Sequence, residues 1–232
     1  MKPRLFSWSF STHAQLLRCP AKVKYAKIDK LPDPSGYAAE RGSRLGEALE
    51  QYTLRSTQPT GVFTPDRASY PLEILAWKPA LDERLARYAS VRPEFEIGLD
   101  ANWNPQPWDR ATIRAKLDLV GIVDDTTIEV IDYKTGRQYP EHKDQLELYA
   151  TLLFHCYDWC ERVLVADWYL DRPGEIVEDK YLRPEYERTL LPRWKQRAVA
   201  DLSRTIWPAQ RNVFCRYCAF HAKVGGPCTE GA

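Results

Sequence analysis

Hydrophobic and polar positions along this chain change period twice, and the changes mark its elements. From residue 9 to 28 apolar residues recur at helical spacing behind two candidate capping serines, Ser9 and Ser11, with Cys19-Pro20 interrupting the run. The Pro/Gly loop LPDPSG follows. Residues 37–55, YAAERGSRLGEALEQYTLR, then place Leu45, Leu49 and Tyr52 at i, i+4 and i+7 on one helix face. Residues 71–90 read as further helix, with a break expected near Pro79. Residues 92–99 and 111–134 switch to the period of two that belongs to strands, separated by the loop NWNPQPWD. The helical period returns from Glu141 to about Cys160, and RVLVADWYL reads as another strand. Residues 184–206 form a long helix with Leu190, Trp194, Ala198 and Leu202 roughly on one side, and a Cys-rich tail closes the chain. No segment repeats. The order predicts one α/β domain over 1–232, with a mainly helical part at 1–90, a sheet and helix at 91–182, and a helix and tail at 183–232.

Composition narrows the class. Hydrophobic residues are 44% and charged residues 28% of 232, which suits a packed core and neither a disordered nor a fibrous chain. No apolar run approaches the ~20 residues of a spanning helix. The start, MKPRLFSWSFSTHAQ, lacks a signal-peptide pattern. The expectation is a cytoplasmic protein with no membrane partner. With a net charge of +1, any polyanion must be held by a local basic groove and not by a global field. The six cysteines then point to metal or redox roles before disulfides. The absence of a G-x-x-x-x-G-K loop argues against ATP hydrolysis.

The stretch IEVIDYKTG, from Ile128, carries the most chemistry. It is an apolar strand that ends in an acid and a base. Alternation places Ile128, Val130, Asp132 and Lys134 on one face, and puts Asp118 of the preceding strand on a face with Lys116, Val120 and Ile122. If Asp124-Asp125-Thr126 is the hairpin loop, Val123 pairs with Thr127 and Asp118 faces Asp132, with Cβ atoms roughly 5 Å apart. Two such carboxylates repel unless a cation sits between them, and an oxygen-only site favours Mg²⁺ or Mn²⁺. Lys134 lies one step further along the face. An acid pair, a hard cation and an ammonium together suit phosphodiester hydrolysis. Gln145 and Tyr149, at i and i+4 on the following helix, are placed to position Lys134 or to touch a nucleic-acid backbone. Set against this, a lone D-x-K at a strand end is ordinarily a surface ion pair, and a one-residue slip would separate the acids.

These residues resemble the PD-(D/E)XK nuclease superfamily, in particular its RecB-like exonuclease branch, which includes CRISPR-associated and phage recombination nucleases. The resemblance rests on GIVDDTTIEVIDYKTG followed by DQLELY, in order over most of the chain. It implies a restriction-endonuclease-like central mixed β-sheet flanked by helices and a metal-dependent nuclease acting on DNA, with a free end preferred. It implies that Asp118 and Asp132 hold the metal, the Tyr133 carbonyl being a further ligand, and that Lys134, Gln145 and Tyr149 are the D-x-K lysine and the Q-x-x-x-Y pair. Partners implied are DNA and a helicase or recombinase, in recombination, repair or phage and CRISPR DNA processing. One departure stands out: ERGSRLGEALE, residues 40–50, resembles the family's first helix motif but carries Gly46 where a metal-binding His is usual. Glu47 or Glu50 is a substitute donor, though adjacent helix positions point about 100° apart. His13 and His142 are further donors whose ordinary reading is structural. The alternative is a catalytically impaired module of the same fold that binds DNA or docks on a helicase.

The tail supplies Cys215, Cys218 and Cys228 in C-x₂-C-x₉-C spacing, and Cys19 is the natural fourth ligand. The resemblance implies a 4Fe–4S cluster clipping the two ends of the chain together. A structural Zn²⁺ is the alternative, with His221 able to complete a Cys₃His set, and a zinc-stabilised scaffold without nucleic acid is a third reading. Cys156 and Cys160 read as core thiols. Trp103 and Trp108 are candidates for stacking on unpaired bases or for a packed loop tip. Arg193, Lys195, Arg197, Arg204 and Arg211 are candidates for a phosphate track or a solvated helix face.

Overall fold

Thr127–Lys134 is buried on both faces over most of its length, as suits the central strand of a sheet. In the computed structural model, which describes residues 4–34, 36–57, 65 and 69–230, this strand is β3 of a five-stranded sheet in the order β1-β2-β3-β4-β5. Its neighbours are β1 (Ser90–Leu99), β2 (Ile113–Asp124), β4 (Arg162–Tyr169) and β5 (Ile176–Leu182). β3 pairs antiparallel with β2 and parallel with β4, and β5 returns antiparallel on β4. A parallel neighbour requires a crossover, and α5 (Glu141–Cys156) supplies it. The mixed α/β sheet flanked by helices is the architecture expected. Ser35 of the LPDPSG loop lies outside the described residues.

The chain divides into two compact units, one comprising Met1–Ser35, Gly98–Ala115 and Arg193–Ala232, the other Gly36–Ile97 and Lys116–Pro192. In the second unit, α3 (Tyr37–Ser56) and α4 (Leu72–Leu85) bring Leu45, Leu49, Tyr52, Ile74, Trp77 and Leu81 onto Leu119, Ile131, Ala166 and Trp168. Because strand side chains alternate, Asp118, Asp132 and Asp167 project from the opposite face, where α5 packs. Residues Leu146–Phe154 of α5 are all buried, so the helix is enclosed and not amphipathic. Its far end is closed by Arg183, which donates to the carbonyls of Phe154 at 3.3 Å, Tyr157 at 2.5 Å and Cys160 at 2.7 Å. Arg183 opens α6 (Arg183–Glu185), which runs on as a π-helical turn, Tyr186–Leu190.

In the first unit, Ser9 caps α1 (Phe10–Arg18), Cys19 is extended at φ −163°, and Pro20 begins α2 (Pro20–Val23), the break expected at Cys19-Pro20. Trp8 and His13 both bond one carboxylate oxygen of buried Asp201, at 2.8 and 2.6 Å. Asp201 lies on α7 (Leu191–Leu202), whose Trp194 packs edge-on against the rings of Trp8 and His13. Leu5, Leu16 and Val23 form the small core beside them. The two ends of the chain are joined by the Ala21 N–H donating to the Pro208 carbonyl at 3.1 Å and by the Asn212 side-chain amide donating to the Arg18 carbonyl at 3.2 Å.

Four local expectations are corrected. Pro79 sits inside an unbroken α4; the bond it removes is outweighed by burial of Ile74, Trp77, Leu81 and Leu85 on one face. α5 ends at Cys156 and not at Cys160, because Tyr157 turns extended. The helix expected over 184–206 starts at Arg183, passes through the π-turn and ends at Leu202. The strand β5 was not expected at all. Its middle is a run of charged, exposed residues, Glu178, Asp179 and Lys180, as befits an edge. Among the described residues no helix is long and apolar enough to cross a membrane. Leu49→Ala, which leaves a cavity between α3 and the sheet, is expected to destabilise the protein by ~2–5 kcal/mol in urea unfolding.

Candidate active site

The geometry of the site starts from the hairpin. Asp124 pairs with Thr127, so the loop is Asp125-Thr126 and not the three residues expected. A bulge between Ile122 and Asp124 then absorbs the extra residue, and from Ile122–Ile128 to Leu119–Ile131 the ladder has the anticipated register. The paired ladder ends at Leu119–Ile131, and Asp118 and Asp132 are the next residues of the two strands. The Tyr133 N–H donates to Asp118 Oδ2 at 2.7 Å, which holds that carboxylate at the strand end.

Four further groups converge on Asp132. Lys134 Nζ lies 2.5 Å from Asp132 Oδ2 and donates to Gln145 Oε1 at 2.6 Å. The Gln145 amide donates to Asp132 Oδ1 at 3.2 Å and to the Tyr149 hydroxyl at 2.7 Å. That hydroxyl donates in turn to the Lys116 carbonyl at 3.3 Å. On the other side, the parallel ladder sets Asp167 beside Asp132, with Asp167 Oδ1 3.9 Å from Lys134 Nζ. Asp118, Asp132, Tyr133, Gln145 and Tyr149 line a cleft of about 460 Å³, together with Glu47, Glu50, Glu94 and Lys116. The structure thus gathers the sequence-derived set Asp118, Asp132, Tyr133, Lys134, Gln145 and Tyr149, with Glu47 on the cleft wall.

The electrostatics are uneven. Burial pushes the Asp118 carboxyl well above the usual carboxylate range, and the facing Asp132 pushes it further. The Tyr133 N–H and Lys134 pull the other way without cancelling this. Burial alone would lower the Lys134 ammonium, but its contact with Asp132, backed by Asp167 and Asp118, outweighs burial and the net shift is upward. Burial raises Asp167 to about 7, with Lys134 lowering it and Asp132 raising it. Tyr149 is raised far above an ordinary phenol, by burial first and then by Asp132 and Asp118, so it remains a hydrogen-bond donor. Three carboxylates therefore share one ammonium. Two of them, Asp118 and Asp132, face the cleft, and this excess of negative charge suits a divalent cation. Among the described residues no three His, Cys, Asp or Glu side chains form a metal-holding group, so protein donors beyond the pair would have to come from the Tyr133 carbonyl or from the cleft-lining Glu47, Glu50 or Glu94.

A protein-family model describing the PD-(D/E)XK nuclease superfamily matches residues 7–222. The chain belongs to that superfamily. Among solved structures, this nuclease is similar to a candidate exonuclease from Eubacterium rectale, at 12% identity and a TM-score of 0.50, covering 91% of this chain and 88% of that one. It is also similar to an alkaline exonuclease from Laribacter hongkongensis, at 16% identity and a TM-score of 0.38, covering 86% and 88%. The Eubacterium likeness shows the fold alone. No curated protein sequence matches.

In this nuclease Gly46 opens onto the cleft: a Cβ placed there would lie 4.0 Å from Glu94 Oε1. Glu94, bonded to Lys116, stands where a side chain at position 46 would reach. Sequence reasoning missed Glu94 and Asp167. Glu94 has φ +50°, so the period-two face assignment fails there. Asp167 was hidden inside an apolar strand whose partner is 35 residues away. His13 is not a donor to this cleft, being taken by Asp201, and His142 Nδ1 is bonded to the Tyr169 hydroxyl at 2.9 Å. Trp103 is buried, with Lys195 over its ring, so it is a packed loop residue and not a base-stacking platform. Cys156 is raised to about 11 by burial and Cys160 is fully buried, as core thiols are.

Cys19, Cys215, Cys218 and Cys228 line one cavity of about 130 Å³ in the first unit, with His221. All four are free thiols. Burial raises Cys228, and the other three thiols raise it further. His221 Nδ1 accepts from the Lys223 N–H at 3.0 Å.

The opposed carboxylates strain the metal-free protein at neutral pH. Asp118 binds its proton more tightly folded than unfolded, so its contribution to stability is present at low pH and is lost as pH rises through the folded value. Asp118→Asn keeps the acceptor for Tyr133 N–H and removes the repulsion. It is expected to raise stability in EDTA at pH 8 by ~1 kcal/mol, read as an increased melting temperature. A lower melting temperature would show that the pair is not repulsive.

Proposed function

We propose that this superfamily member is a Mg²⁺- or Mn²⁺-dependent deoxyribonuclease, an exonuclease acting on DNA ends in recombination, repair or phage and CRISPR DNA processing. The observation that carries the reading is the pair of half-buried Asp118 and buried Asp132 beside the Lys134 ammonium. Asp118, Asp132 and the Tyr133 carbonyl would hold the ion, with Glu47 as a further donor. When bound, the ion supplies Lewis acidity toward a phosphate oxygen and toward water. Lys134 orients the attacking water and stabilises negative charge developing on the phosphoryl oxygens. Gln145 fixes Lys134 and Asp132 relative to each other by bonding both, and Tyr149, anchored on the Lys116 carbonyl, fixes Gln145. The four thiols Cys19, Cys215, Cys218 and Cys228 line one cavity, where a 4Fe–4S cluster, or alternatively Zn²⁺, would fasten the ends of the chain, although among the described residues no three of them already form a metal-holding group.

A second reading is a non-cleaving DNA-binding or helicase-docking module, and the lack of a side chain at Gly46 favours it. The two are separated by Mn²⁺ assays on end-labelled and circular DNA. The nuclease reading expects cleavage of linear DNA, with Asp132→Ala reducing the rate by at least about 10³-fold. Equal inertness of wild type and Asp132→Ala on single- and double-stranded DNA establishes the module instead. For the cluster, anaerobically purified protein is expected to be brown, with broad visible absorbance lost in Cys215→Ser. A colourless protein with stoichiometric zinc assigns the thiols to zinc.

A further inference from the structure

The parallel register of β3 and β4 places two carboxylates around one ammonium. Lys134 Nζ is 2.5 Å from Asp132 Oδ2 and 3.9 Å from Asp167 Oδ1. Asp167 is 2% exposed, and its Oδ1 accepts no hydrogen bond. A buried carboxylate oxygen without a donor is costly unless it serves a second state of the site.

That second state is set by Asp132. As it stands, Asp132 Oδ2 is occupied by Lys134. A divalent cation drawing on the same oxygen must displace the ammonium or share the carboxylate with it, and two cations on one carboxylate repel. A displaced ammonium in a buried site needs another anion, since leaving it unpaired is strongly unfavourable. Asp167 is that anion, about one ångström or so of side-chain movement away on the scale of a hydrogen-bond contact. Gln145 Oε1, at 2.6 Å from Nζ, is a neutral anchor that Lys134 can keep while it turns.

The geometry points to Asp167 as the alternative counter-ion of Lys134, receiving its ammonium when a divalent cation takes Asp132. This rests on the reading of Asp118 and Asp132 as the cation's ligands. Asp167 is then a positioning residue. It touches neither cation nor substrate, yet it sets how readily the site accepts the ion and where Lys134 stands afterwards. The coupling is reciprocal: whatever strengthens the Lys134–Asp167 contact strengthens cation binding by the same factor.

The test is a thermodynamic cycle on Mn²⁺ affinity, measured by calorimetry without DNA. Asp167→Asn is near-isosteric and is expected to weaken Mn²⁺ binding about tenfold, or ~1.4 kcal/mol, with the melting temperature checked alongside. In a Lys134→Met background the same substitution is expected to change affinity less than about twofold, because there is no ammonium to rehouse. A purely structural or directly electrostatic role for Asp167 weakens Mn²⁺ equally in both backgrounds, and that result, or no weakening in either, overturns the exchange. Should Lys134→Met not fold, Lys134→Gln serves as the background. The underlying site is judged separately: Mn²⁺ binding that is absent, or that survives Asp118→Asn with Asp132→Asn, removes the metal reading and the exchange together.

Discussion

Leu119 pairs with Ile131 across β2 and β3, and the chemistry on the other face of the sheet depends on that register. Both side chains are buried under α3 and α4, so a slip of one residue would put carboxylates into the apolar layer and leucine and isoleucine against α5. Hydrophobic burial on one face thus holds Asp118 and Asp132 opposed on the other. No bond between the acids is needed, and none would be favourable. Their mutual repulsion is tolerated because the apolar side of the same strands fixes where they stand.

The hairpin was legible in the sequence for this reason. The charge-rich Asp124-Asp125-Thr126 marks the turn, and counting back from it along two strands of period two assigns the faces. The bulge was not legible, yet it did not disturb the result: pairing Asp124 with Thr127 adds one residue to β2, and the bulge removes it again. What failed was non-local. Asp167 reaches the site through a parallel pairing set by the α5 crossover, and no local pattern fixes which residue of β4 lies beside Asp132. Glu94 lies at a left-handed backbone position that breaks the strand period. β5 carries an edge strand's charges, which read as loop. Pro79 was given its usual weight as a helix breaker, whereas the α4 stripe buried against Tyr52 and Trp168 outweighs one lost hydrogen bond.

The opposite face of β3 shows how this protein buries an acid when no ligand is intended. Glu129 is as buried as Asp132, but Arg84 bonds it, Tyr88 donates to it at 3.0 Å, and Arg84 also bonds Glu178 at 2.8 Å. Gly121 leaves room for the Tyr88 ring, which a Cβ would meet at 2.5 Å. Every acid there has a donor, and the cluster ties α4 to the sheet.

The α5 face is built by the other rule. Asp118, Asp132 and Asp167 have one ammonium among them, and the neutral donors Gln145, Tyr149 and the Tyr133 N–H steer the carboxylates without neutralising them. Such a deficit of positive charge is held here by closely packed surroundings. The strands are fixed by the Leu119–Ile131 layer, and α5 is buried from Leu146 to Phe154 with its carbonyl end closed by Arg183. The same enclosure raises the penalty on the unpaired charge, because buried charges are poorly screened. Enclosure and charge deficit therefore reinforce each other, and under the proposed function a cation entering the cleft lined by Gly46 and Tyr149 would relieve the deficit.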